Sequence, residues 1–260
     1  MLKNKLLVAA LASAFSLSAM AEDAAPAAPA SPFSSNVSLT TNYLYRGISQ
    51  TGAKPAVQGG FDYAGASGLY IGAWGSSISW LGDAGVAKNA GLELDTYAGY
   101  KGTAGAVSYD VGFLRYNYPG DYAVGATKAD TNEIYGAVTY SIVTAKYSYS
   151  LGDTFGVPDA KGTSYIDLSA NYAVGESGYT LGAHWGKQSY KGSSAAYTAA
   201  IATGTPTYSD YRLSVTKDLG TGYSASLTYS KTNATSGGFY TVNGKDLGKG
   251  TAVVALSRTF

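Results

Sequence analysis

The chain has 260 residues, enough for one large domain or two small ones. Charged residues are 13% of it, about half the usual quarter, while glycine (34 residues) runs near double its ordinary ~7%. A formal net charge of +1 excludes a nucleic-acid binder that works by charge, and the absence of cysteine excludes disulfides and thiolate metal sites.

The amino terminus has the three parts of a secretory signal peptide. Lys3 and Lys5 form a basic start, Leu6 to Leu17 an apolar core, and Ala19-Met20-Ala21 a small-x-small cleavage site. Residues 1–21 are therefore expected to be removed, which takes the net charge to −1. Residues 22–35 follow as an Ala/Pro-rich periplasmic tether without a core of its own. Beyond it no apolar run reaches the ~18 residues that would suggest a spanning helix. A membrane-embedded mature chain would have to cross as strands.

From residue 36 to 260 one pattern recurs: about ten alternating residues, then a break. Val37 and Leu39 alternate with Ser38 and Thr40, Leu92 and Leu94 with Glu93 and Asp95, and Ile166 and Leu168 with Asp167 and Ser169. Period two marks half-buried strands. The runs lie near 36–46, 54–65, 68–78, 90–102, 104–116, 130–142, 144–152, 163–174, 178–187, 208–218, 222–231 and 250–260, which makes about twelve strands. Connections after even-numbered runs are tight, such as Thr103 or Val143. Those after odd-numbered runs are long, such as Gln188 to Thr207 and Thr232 to Lys249. A soluble sandwich has no reason to alternate this way. An outer-membrane barrel of a Gram-negative bacterium does, with an even strand number, short periplasmic turns and long extracellular loops.

The predicted fold is thus all-β: a transmembrane, antiparallel, up-and-down β-barrel with both termini periplasmic. Phe260 ends a strand whose face carries Ala252, Val254 and Leu256, although Arg258 interrupts it. Tyr and Trp near run ends, among them Tyr43, Tyr45, Tyr63, Tyr70, Trp74 and Tyr100, are expected to form interfacial girdles. The alternative is that tyrosine simply forms strands well.

Four ordered blocks carry a family resemblance. They are Tyr43-Leu44-Tyr45-Arg46-Gly47-Ile48-Ser49-Gln50, Pro55-Ala56-Val57-Gln58-Gly59-Gly60-Phe61-Asp62-Tyr63, Gly68-Leu69-Tyr70-Ile71-Gly72-Ala73-Trp74-Gly75-Ser76 and Leu94-Asp95-Thr96-Tyr97-Ala98-Gly99-Tyr100. In these the sequence resembles the TorF family of porins. The resemblance implies an outer-membrane barrel that acts as a channel, and it names no solute.

Catalysis finds little support in the sequence. His184 is the only histidine, and neither a zinc ligand set nor a phosphate-binding glycine motif is present. No enzyme activity, cofactor or metal is expected. The informative residues are mid-strand polar and charged ones, which must point inward because an Arg or Lys at the lipid midplane costs ~2–4 kcal/mol. They are Arg46, Asp62, Glu93, Asp95, Lys101 and Glu133, with Lys146, Asp167, His184, Asp210 and Arg212 on later strands. Either they line an aqueous path, or they pair across the barrel and plug it. The expected function is a monomeric porin-like channel for passive diffusion of small hydrophilic solutes, weakly charge-selective, with lipid as its surroundings. The alternative is a closed structural or adhesive barrel whose outer loops bind a partner.

Overall fold

A computed structural model describes residues 31–191 and 206–260. The expected signal peptide, most of the expected tether and the middle of the loop 188–207 lie outside these residues. Twelve strands form one closed barrel. They are β1 (Phe33–Thr40), β2 (Ala56–Ala64), β3 (Leu69–Ser77), β4 (Leu92–Ala104), β5 (Val107–Asn117) and β6 (Thr131–Tyr140), followed by β7 (Val143–Ser150), β8 (Ser164–Ala173), β9 (Tyr179–Ser189), β10 (Tyr208–Gly220), β11 (Tyr223–Thr232) and β12 (Thr251–Thr259). Each pairs antiparallel with the next, and β1 closes the ring on β12 from Asn36↔Thr259 to Thr40↔Ala255. The expected up-and-down barrel is the observed fold. Among the described residues no helix is long and apolar enough to cross a membrane, so crossing falls to the strands.

The period of two becomes two surfaces. In β8 Ile166 and Leu168 are exposed on the outside while Asp167 between them is buried. Leu39, Ile71 and Leu213 likewise present more than half their surface outward, an apolar band that only hydrocarbon could cover. Turns 65–68, 105–106, 141–142, 174–178 and 221–222 share one end with the first and last strand ends. The long connections gather at the other. Arg258 sits at the turn end, its guanidinium 4.8 Å from the Tyr223 ring centroid and 4.4 Å from that of Phe260. The charge that breaks the last apolar face is thus held at the edge of the band, stacked on aromatic faces.

Inside, tyrosines lie flat over glycines of the neighbouring strand. Tyr70 faces Gly99, and Gly72 faces Tyr97, in the β3–β4 register. Tyr135 faces Gly112 between β6 and β5. A Cβ at Gly99 would collide with the Tyr70 hydroxyl, and one at Gly72 with the Tyr97 ring. This is aromatic cover of bare backbone, and it accounts for part of the joint excess of Tyr and Gly. It also corrects the girdle expectation. Tyr63 and Tyr100 are exposed outside, but Tyr43 and Trp74 are buried within the barrel, as is the ring-over-glycine face of Tyr70.

The first strand departs most from expectation. The run 36–46 is not one strand: β1 stops at Thr40, and a separate two-residue pair, Leu44–Tyr45 with Ile48–Ser49, forms its own hairpin. That hairpin is folded into the lumen.

Candidate functional site

The hairpin turns at Arg46-Gly47, with φ of +46° and +78°. Two successive positive φ values match a type I′ turn, whose twist suits tight hairpins. Gly47 is required there twice over. Its φ is left-handed, and a Cβ would lie 2.7 Å from Asp210 Cβ on β10 and 2.8 Å from Thr232 Cγ2 on β11. The hairpin leaves the wall between β1 and β2, and its tip meets a different part of the wall.

Contacts hold it from many sides. Arg46 Nη2 is 2.7 Å from Glu133 Oε2 on β6, and Nη1 donates to Gln188 Oε1 on β9 at 2.8 Å. The guanidinium also stacks over Tyr45 (4.8 Å) and over Tyr165 of β8 (4.4 Å). Tyr208 on β10 donates its hydroxyl to the Arg46 carbonyl at 2.9 Å. Tyr43 donates to Glu93 Oε1 on β4 at 2.9 Å, and the Tyr45 and Tyr116 hydroxyls meet at 2.6 Å. The backbone is tied as well, Ser49 N to Leu247 O and Ser79 N to Gln50 O, each at 2.9 Å.

Beside this lies a histidine clamp. His184 Nε2 is 2.9 Å from Asp210 Oδ1, and Nδ1 is 3.3 Å from Asp167 Oδ2. Tyr165 adds its hydroxyl to Asp210 Oδ2 at 2.8 Å. Both ring nitrogens face carboxylates, which orients the imidazole as a cross-strand tie rather than as a base aimed at a serine. Among the described residues no group of three or more His, Asp and Glu is placed to hold a metal ion.

The charged set expected on the inner face is on the inner face, in two environments. Glu93, Asp95, Glu133, Asp167 and Asp210 are each no more than 4% exposed. With Arg46 and His184 they form a packed belt around the hairpin rather than a solvated wall. Arg46 itself is on the hairpin turn, not on a strand. Toward the turn end, Asp62 and Lys101 are half-buried and Asn171 is exposed on the inner phase, while Lys146 and Arg212, also half-buried, stand opposite Asp167 and His184 of the belt. Asp62 accepts from Tyr97 at 2.6 Å, Lys101 Nζ is 4.6 Å from the Tyr70 centroid, and at the belt's edge Lys146 Nζ is 4.0 Å from that of Tyr135. The lumen is thus filled at the level of the hairpin and more open toward the turns, although Asp110 and Thr144 there are buried.

Sequence reasoning missed the hairpin and its wall partners Tyr116, Tyr165, Gln188 and Tyr208. One signal was present: an x-Gly dipeptide in the middle of an alternating run, the mark of a tight hairpin turn. It also missed a cavity of about 250 Å³ on the loop side of the hairpin, walled by Tyr45, Trp80, Phe155, Tyr190, Phe239 and Tyr240 among others. Burial, and then the nearby Glu93 and Asp95 carboxylates, push the Tyr118 hydroxyl at its wall well above its ordinary pKa. Burial does the same to Tyr190. Both stay neutral.

A closed antiparallel barrel with an apolar outer band and a polar interior is the architecture of outer-membrane β-barrels. The chain belongs to the family described as bacterial protein of unknown function (Gcw_chp), whose model matches residues 23–260. No curated protein matches the sequence. Among solved structures, the chain is similar to one from a study of in-meso crystallization of membrane proteins, with TM-score 0.51, 6% identity, and 88% of this chain and 83% of that one covered. It is also similar to the KdgM porin in complex with disordered oligogalacturonate, with TM-score 0.49, 6% identity and coverage of 88% and 97%. For OccAB4 of Acinetobacter baumannii the TM-score is 0.44, with 9% identity and coverage of 80% and 53%. At such identities the likeness is one of fold.

Proposed function

We propose that the protein is a narrow outer-membrane channel for passive diffusion of small hydrophilic solutes, with the Arg46 hairpin as its constriction. It works as a monomer, without cofactor or chemistry, with termini in the periplasm and long loops outside. The observation that carries this is the way the lumen is filled. One hairpin crosses it, anchored by an ion pair and hydrogen bonds, while inner-face polar side chains nearer the turns, Asp62, Lys101 and Asn171, are half-buried or exposed. Twelve strands fall between the 8-strand barrels that side chains fill and the 16–18-strand porins that hold open water. The resemblance of the four sequence blocks to TorF-family porins supports the same assignment. Acids and bases are mixed on the inner face, so selectivity by charge is weak.

Burial of the carboxylate belt favours a second possibility, a closed structural or adhesive barrel, and conductance separates the two. In planar bilayers the native protein is expected to show small, steady single-channel currents. Arg46→Ala, which releases the turn from Glu133 and Gln188, is expected to enlarge them severalfold. If both proteins fold and neither conducts, the barrel is closed and the channel assignment fails. Liposome swelling across a panel of sugars and amino acids then sets the size limit.

A further inference from the structure

Protein interiors rarely leave voids much larger than a water molecule, and polar loops over a barrel have no need of an aromatic hollow. Yet the long loops build one. Rings in edge contact run along one stretch of the cavity wall: Trp80 to Tyr118 at 5.6 Å and 82°, and Tyr45 to Phe155 at 5.5 Å and 70°. A second stretch comes from the loop after β11 and the start of β10, where Phe239 and Tyr240 meet at 4.8 Å and 84°, and Tyr208 and Tyr240 at 4.9 Å and 76°. Edge-to-face packing leaves some ring faces turned toward the space between, where an inserted ring gains the contacts that are lacking. Ile48 and Tyr45 of the lumen hairpin belong to the same wall, so an occupant rests against the constriction.

The charge of the occupant follows from the wall. None of the described residues lining the cavity is charged, and Tyr118 and Tyr190 are held neutral by burial. An ion entering would lose water without gaining a counter-charge. A hydroxyl or ring N–H, by contrast, could meet the polar side chains of Gln188, Gln50 or Ser49 at the wall. The volume, about 250 Å³, lies just below the usual range of ligand pockets, which limits the guest to one or two rings.

We infer that this cavity is a binding site for small, uncharged aromatic molecules, held by stacking among the loop rings above the lumen hairpin. Such binding is read at equilibrium whether or not current flows, so its failure and a failure of the channel assignment are distinguishable.

The test is calorimetric titration of the full mature chain in lipid nanodiscs, with empty nanodiscs subtracting partition into lipid. The probes are indole, benzoate and glucose. Indole is expected to saturate one site with a Kd on the order of 0.1 mM. Benzoate should bind at least ~10-fold more weakly, because its charge is stranded, and glucose should give no heat. Val242→Trp changes a partly exposed residue of a small loop hairpin and fills the cavity. It should weaken indole at least ~10-fold, as should Trp80→Ala, with the folded barrel checked by heat-modifiable gel mobility. Val242→Trp does not touch the barrel wall, so it carries the test if Trp80→Ala misfolds. Indole heats equal to those of empty nanodiscs, unchanged indole affinity in Val242→Trp, or glucose binding as tight as indole would each overturn the assignment.

Discussion

Arg46 occupies a backbone conformation that disfavours it. At φ +46° a residue with a Cβ gives up ~1–2 kcal/mol that glycine would not. Its side chain supplies the compensation: a 2.7 Å ion pair to a buried carboxylate, an amide partner and two ring faces. Asparagine would suit the turn better and could not span to Glu133. The outer face obeys a simpler rule. Leu168 is 46% exposed on the lipid side, so Leu168→Arg should cost ~2–4 kcal/mol if it lies at the midplane. Asn171, on the opposite phase of the same strand and exposed inside, should accept Asn171→Arg within about 0.5 kcal/mol. Urea unfolding from phospholipid vesicles measures both. Equal losses would mean that the assignment of faces in β8 is wrong.

Among the elements, the barrel strands were largely legible and the hairpin was not. Strands announced themselves because lipid on one side and polar interior on the other impose strict alternation, and β8 shows it residue by residue. The alternation of short and long connections was legible for the same reason: it needs only a count of residues. The segment 42–51 defeated that logic because Tyr43, Tyr45 and Ile48 are what a strand would also use. Whether a run continues in the wall or folds inward is decided by distant partners such as Glu133, Gln188 and Asp210, which no local window contains. The belt charges lie on the inner face among packed side chains, the second of the two environments the sequence left open. Periodicity gives direction, and it cannot tell water from packed side chains. Orientation across the membrane is open to direct measurement. Ser236→Cys, in the long loop after β11, should react with an impermeant maleimide on intact cells, while Ser67→Cys, in the tight turn after β2, should react only after lysis. The reverse pattern would put the termini outside.

At the scale of the whole molecule, the proposed channel would owe its selectivity to the partly exposed inner charges rather than to the buried ones. Glu93 and Asp95 are buried, whereas Arg212, opposite His184 at the edge of the belt, is partly exposed on the inner face. In a conducting barrel, Arg212→Gln should shift reversal potentials toward cations at low salt, and the shift should fade at ~1 M, where the Debye length is about 3 Å. An unchanged potential at low salt would place Arg212 off the path. The ring-over-glycine pairs bear on something else, which is how the barrel comes to have one diameter. A strand that slips by two residues keeps its greasy side out and its polar side in, so hydrophobicity is blind to the error. The tyrosines are not blind to it. Moving β3 two residues along β4 in one direction would bring Tyr70 opposite Tyr97, and in the other opposite Lys101, where no bare backbone receives the ring. Each such pair acts as a pin in a slot, accepting one offset and rejecting its neighbours. Because the sum of offsets around a closed barrel sets its shear and hence its width, these pins favour one bore over its neighbours.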